Sequence, residues 1–289
     1  MEASGKRYIW HRSRSDKFRI WNLSDLHYMA KGCDENGIDR DLKEIADDPY
    51  SFWLGGGDMC DFIGHTDKRF DPDAVAEWIS VKDLGNLGKV GMEHLAKKFR
   101  PIKHKCLGLL IGNHEKKYEL QTEHEGLHHW LCHELGVPSL EYCALFDLVF
   151  CRTNKAKEGQ PELKTELPPA NSSTTETFRV FAHHGAGYAQ TPGGKLNKLI
   201  QFMQSFRADL FFVGHVHDRV ARREPALGAD ANCRKLVQFD RLGLVSGSYL
   251  KTYQQGYTSY GEMKGYRPTA LGAAVAEITP ETRHMEAAV

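Results

Sequence analysis

The chain has 289 residues, 41% of them hydrophobic, with 38 Lys plus Arg balanced by 38 Asp plus Glu. That length suits one large domain or two small ones with ample chain to bury a core, and zero net charge argues against wholesale binding to nucleic acid or an anionic membrane. Charges interrupt every apolar run well short of the roughly eighteen residues of a membrane helix, so a soluble protein is expected.

Residues 1–16 are polar and basic with no apolar run behind them, and read as a flexible N-terminal segment and not a secretory signal. Phe18–Ser24 reads as a strand and Ile38–Asp48 as a helix ended by Pro49; Ser51–Gly57 is the next strand. Helical patterns follow at Ala74–Leu84 and Gly91–Phe99, then a buried run at Cys106–Ile111 and a helix at Glu119–Leu135 closed by Gly136 and Pro138. Leu140–Cys151 reads as one strand or a hairpin arm, residues 152–177 as a polar surface loop or insertion, and Phe178–Ala182 and Asp209–Val213 as strands. Between these last two lies a helix striped by Leu196, Leu199, Ile200, Met203 and Phe206. Strands at Lys235–Ser246 and Ala270–Ile278 flank a Gly- and Tyr-rich loop, Tyr249–Arg267. Strand and helix alternate throughout, which predicts a single α/β domain over 1–289.

Two residue types stand out. The 7 cysteines are odd in number and form no C-x-x-C pair, against a disulfide framework or a cysteine zinc cluster, and the expectation is a reducing, cytoplasmic setting. Histidine, at 15, is about twice its average share. The histidines cluster with carboxylates at the ends of predicted strands: Asp25 and His27 in SDLH, Asp58 in GGGD, Asn113, His114 and Glu115 in GNHE, His183 and His184 in AHHG, His215 and His217 in GHVH. Loops beyond the carboxyl ends of strands are where α/β sheets assemble ligand sites. A spacing of two places Asp25 with His27, and His215 with His217, on one face of a strand, able to grip one ion. Glycine before Asp58, Asn113 and His215 leaves room beside a crowded centre. Mixed oxygen and nitrogen donors suit Mn, Fe or Zn, and seven ligands exceed what one tetrahedral ion needs.

In this order, D-x-H, G-D, G-N-H-E, H and G-H-x-H resemble the calcineurin-like metallophosphoesterase superfamily, over Asp25 to His217. The resemblance implies a four-layer sandwich of two mixed β-sheets flanked by α-helices, the metallo-dependent phosphatase fold. It implies two divalent transition-metal ions, one held by Asp25, His27 and His217, the other by Asn113, His184 and His215, with Asp58 bridging. His184 is favoured over His183 because it directly precedes the glycine. His114 would reach the scissile ester, oriented by Glu115. Two cations about 3.5 to 4 Å apart would make hydroxide available near neutral pH for in-line attack on phosphorus, with His114 as general acid. Gly57–Ile63 lacks the arginine of the G-D-x-V-D-R-G segment that such a resemblance would carry in protein Ser/Thr phosphatases. The expected activity is therefore phosphodiester hydrolysis, with a nuclease, a phosphomonoesterase or a noncatalytic scaffold as alternatives. The expected partner is a phosphate ester, small molecule or nucleic acid.

Other signals are weaker. His124-Glu125-Gly126-Leu127-His128 matches the zinc-protease H-E-x-x-H, but is read as a chance match on a helix burying Leu120, Leu127, Leu131 and Leu135, with His128, His129 and His133 near its surface. Lys68 and Arg69, after the bridging aspartate, and Lys195, at the start of the Leu196 helix, are candidate substrate-phosphate contacts. The loop carrying Tyr249, Tyr253, Tyr257, Tyr260 and Tyr266 could stack bases, although packing within the loop is the simpler expectation.

Overall fold

The structure is a computed structural model that describes residues 1–63, 74–122, 126–170, 173–187, 191–230 and 232–288. Its strands are β1 (Glu2–His11), β2 (Phe18–Leu23), β3 (Ser51–Gly55), β4 (Cys106–Leu109), β5 (Cys143–Thr153), β6 (Glu162–Lys164), β7 (Ser173–His183), β8 (Leu210–Val213), β9 (Val220–Ala229), β10 (Leu236–Val245), β11 (Ala274–Thr279) and β12 (His284–Ala288). The helices are α1 (Glu35–Asp47), α2 (Leu87–Phe99), α3 (Asn113–Thr122), α4 (Leu127–Leu135), α5 (Pro192–Ser205) and the short α6 (Tyr260–Met263).

Two mixed sheets form, ordered β6-β1-β5-β7-β8-β10-β9 and β12-β11-β2-β3-β4. Phe18, Ile20, Phe52 and Leu54 of the smaller sheet meet Phe146, Leu148, Phe178, Val180 and Phe212 of the larger, and these side chains are buried between the two. On the outer face of the smaller sheet, α1, α2 and α4 lay Ile38, Ile45, Leu95, Phe99 and Leu131 over Trp21 and Trp53. On the outer face of the larger sheet, α5 lays Leu199 and Met203 against Phe181, Phe211 and Val245. The order is helix, sheet, sheet, helix, the four-layer sandwich expected. Each such side chain taken from water contributes about 1.5–3 kcal/mol. Lys105, at the entry to β4, caps α1: its Nζ donates to the carbonyls of Ile45 and Asp48 at 2.6 and 2.8 Å.

Several local expectations are corrected. Residues 2–11 are a strand, not a flexible segment, because β1 pairs in parallel with β5 on one side and antiparallel with β6 on the other, burying Ile9 between the sheets. The polar stretch 152–177 is partly sheet: β5 and β7 stay paired out to Thr153 opposite Ser173. No α-helix forms at 74–84, where only a 3₁₀ turn, Asp83–Asn86, precedes α2. The helix expected at 119–135 is two: α3 ends at Thr122, and Gly126, at φ 87°, caps α4. His124 and Glu125 lie outside the described residues, and a left-handed Gly126 cannot belong to one continuous H-E-x-x-H helix. Leu120 is exposed and His128 buried, the reverse of the expectation, because His128 turns inward to Ser139 Oγ at 2.9 Å.

Candidate metal centre

Five strand ends converge. Beyond β2 stand Asp25 and His27, beyond β3 Asp58, and Asn113 and His114 open α3 beyond β4; His184 follows β7, and His215 and His217 follow β8. Backbone hydrogen bonds tie these loops together, Asp25 N–H to the Gly57 carbonyl at 2.9 Å and His27 N–H to the Asp58 carbonyl at 3.1 Å. The spacing of two works differently from strand alternation. Asp25, His27, Asp58, His215 and His217 all have φ between 46° and 71°, so paired left-handed residues, not a pleat, turn both donors inward. The glycines do make room: a Cβ on Gly57 would stand 2.6 Å from His184 Nδ1, and one on Gly112 would collide with Asp58.

Three groups of donors form, each with its atoms within 4.8 Å of one another: first Asp25, His27 and His217, second Asp25, Asp58, His184 and His215, and third His27, Asp61 and His114. Asn113 Oδ1 joins the second, 3.0 Å from His184 Nε2. The carboxylate common to the first two groups is thus Asp25, whereas the expected bridge, Asp58, belongs to the second alone, its Oδ2 lying 3.3 Å from His184 Nε2. The ring that reaches the centre is His184; the His183 ring packs against Phe202 and its Nδ1 accepts the Gly185 N–H. Adjacent residues at a strand end point to opposite sides.

The donors fit cations. Asp25 Oδ1 is buried without a hydrogen-bond partner among the described residues, although it stands 3.2 Å from His217 Nε2. An orphaned carboxylate oxygen is costly unless a cation faces it. The imidazoles are set by their outer nitrogens: His184 Nδ1–H donates to the Gly56 carbonyl at 2.8 Å and His215 Nε2–H to the Gly187 carbonyl at 3.1 Å, which leaves the other nitrogen of each ring as a lone pair. His27 Nδ1 meets Asp61 Oδ1 at 3.0 Å, and His27 Nε2 lies 3.2 Å from His217 Nε2. Burial pushes the Asp25 and Asp58 carboxyls up, but the histidine rings around them outweigh it and hold both below the usual range. Burial likewise opposes charge on His184, and Asp58 overrides it, lifting the ring to about 10. Ionised carboxylates that hold a proton on the His184 ring have negative charge to offer a metal, which takes that proton's place at Nε2.

The Glu115 carboxylate is engaged with backbone N–H groups. It accepts the N–H of Met59 at 2.5 Å, of Gly112 at 3.0 Å and of Asp58 at 3.1 Å, and so supports the loop that carries Asp58. Burial first, then Asp58, raises it to about 7. The group that meets His114 is Asp61, which the sequence motifs did not single out: its carbonyl accepts from His114 Nδ1 at 2.5 Å, and its carboxylate is 3.6 Å from the same nitrogen. The only signal for it was its place three residues after Asp58. Lys195 lines the cleft beside the centre and pairs with Asp218 at 3.3 Å; Lys68 and Arg69 lie outside the described residues. The cleft has a volume of about 890 Å³.

No known protein-family profile matches the sequence, and no curated protein matches it significantly. Solved structures similar to it include a predicted phosphoesterase from Streptococcus pneumoniae TIGR4, with TM-score 0.32, 14% identity and 91% of this chain aligned to 84% of that one. GAP50, the anchor in the inner membrane complex of Plasmodium, has TM-score 0.43 and 10% identity, with 91% of this chain aligned to 81% of that one. Vps29 from Entamoeba histolytica has TM-score 0.25 and 13% identity, with 69% of this chain aligned to 88% of that one. Likenesses this distant leave the chemistry to be argued from the chain's own residues.

Proposed function

We propose that the chain is a metallophosphoesterase of the calcineurin-like superfamily, hydrolysing phosphate esters and phosphodiesters in particular. The observation that carries this is the meeting of the motif residues from five strand ends around Asp25 and its orphaned oxygen. Asp25, His27 and His217 would hold one divalent cation, and Asp58, Asn113, His184 and His215 the other. Bound there, two cations supply charge for the phosphoryl oxygens and lower the pKa of a water.

The chain's own residues do the rest. His114 Nδ1 faces the Asp61 carbonyl, an acceptor only, so that nitrogen carries a proton and Nε2, 4.0 Å from Asp58 Oδ2, is the atom offered to the substrate. Protonated, Nε2 donates to the leaving oxygen and stabilises charge as it develops. Asp61 keeps the ring at that angle, and Glu115 keeps the Asp58 loop in place.

The test is a panel assay with Mn²⁺: p-nitrophenyl phosphate, bis-p-nitrophenyl phosphate, cyclic nucleotides, and single- and double-stranded DNA. Hydrolysis of bis-p-nitrophenyl phosphate that disappears in Asp58→Asn is the expected result. Monoester-only activity overturns the diester preference, and a protein that binds no metal and hydrolyses nothing is a scaffold.

A further inference from the structure

The cleft extends well beyond the metal centre. Its far wall is the loop after β10, which presents Tyr257, Tyr260 and Tyr266 together with Lys264 and Arg267. A phosphate on the metals fills only the inner end of about 890 Å³, so the remainder is space for the rest of a substrate.

That wall is built and not slack. Ser259 Oγ donates to the Thr252 carbonyl at 2.5 Å, Thr252 Oγ1 to the Arg267 carbonyl at 3.2 Å and Thr269 Oγ1 to the Leu250 carbonyl at 2.7 Å, cross-tying the loop. The Tyr260 and Tyr266 rings meet edge to face at 6.3 Å. Tyr260 is 45% exposed, and the group over its ring is the exposed Lys264 ammonium, 5.6 Å from the centroid. Lys31 sits over Tyr257 in the same way at 5.7 Å. A planar base that displaces such a lysine exchanges an exposed cation–π contact for stacking, the stronger interaction, and frees the ammonium for an anion. The other tyrosines of the loop do not serve: Tyr249 is fully buried with its hydroxyl on Asp41, and Tyr253 donates to the Tyr266 carbonyl.

We infer that this wall binds a nucleoside base, and that the metal centre acts on nucleotide-type phosphoesters. The inference rests on the phosphoesterase reading for the reaction but not for the binding. A sugar phosphate or a simple alkyl ester would leave the rings and their cations in water. A nucleotide uses both.

Calorimetry on the Mn²⁺-loaded protein with adenosine 5′-monophosphate and ribose 5-phosphate, which differ only in the base, tests the wall directly. The nucleotide should bind at least about ten-fold more tightly, and the ratio of the two affinities should fall about ten-fold in Tyr260→Ala and be retained in Tyr260→Phe. Equal affinities in the wild type, or a Tyr260→Ala variant that keeps the ratio, overturn the inference. Hydrolysis of methyl p-nitrophenyl phosphate, which has no nucleoside, reports on the metal centre separately. If it fails while the affinity ratio stands, the reaction is wrong and the binding right; if it succeeds while the ratio is unity, the reverse holds.

Discussion

Five of the donor residues stand at positive φ without being glycine, a conformation costing about 1–3 kcal/mol each that persists only where surroundings impose it. The strain is concentrated where function needs converging side chains. Replacing one such donor by glycine should therefore relieve strain as it removes a ligand. His217→Gly, measured by urea unfolding of metal-free protein, should be more stable than the wild type by about 1 kcal/mol while binding one metal equivalent fewer. A loss of stability would show that the His217 side chain itself, not strain, dominates. Asp61 acts through two histidines at once. Asp61→Asn should lower turnover or metal affinity about 10–100-fold without unfolding the protein, read from Mn²⁺ titration of activity together with circular dichroism.

At the scale of elements, the loops after β3 and β4 lie so close that Gly112 has no space for a side chain: its Cβ would stand 2.7 Å from Glu115 Oε2 and closer still to Asp58. Gly112→Ala should displace Asp58, lose about 1–3 kcal/mol of stability and abolish turnover, whereas Gly85→Ala, with nothing within 4 Å, should do neither. On α4, burial lowers His128 to about 4. The folded chain thus keeps that ring neutral while the unfolded chain protonates it below about pH 6.5. Stability contributed this way is complete above pH 6.5 and falls as pH drops toward 4, by up to about 3 kcal/mol. His128→Gln should flatten the decline of the unfolding midpoint over that window, and an unchanged slope would assign it to other groups.

For the whole molecule, ions held between the two sheets should stabilise both. At a free concentration of 100 times Kd, each ion adds about 2.7 kcal/mol, which for a chain of this size is roughly 4–5 °C in Tm. Thermal unfolding with Mn²⁺ and with EDTA measures it, and coincident curves would mean that the carboxylates and imidazoles hold no ion. Among the described residues no helix is long and apolar enough to cross a membrane.

What could be read from the chain was local and periodic. The strands β2, β3 and β8 announce themselves as apolar runs, α1 and α5 as 3.6-residue stripes, and the ligand motifs as short polar groups at strand ends. What could not be read was decided by partners distant in sequence. Residues 2–11 are polar enough to look free until β5 and β6 enclose them, and β9, with Pro225 after three consecutive charged residues, is a strand only because β10 pairs with it at the sheet edge. The same holds within the site. The choice of donor types followed from residue chemistry, but that Asp61 rather than Glu115 meets His114, and that Asp25 is the carboxylate shared by the groups around His217 and His184, depended on which loops cross. A side chain's type belongs to the sequence; the atom it faces is set by packing between segments far apart along it.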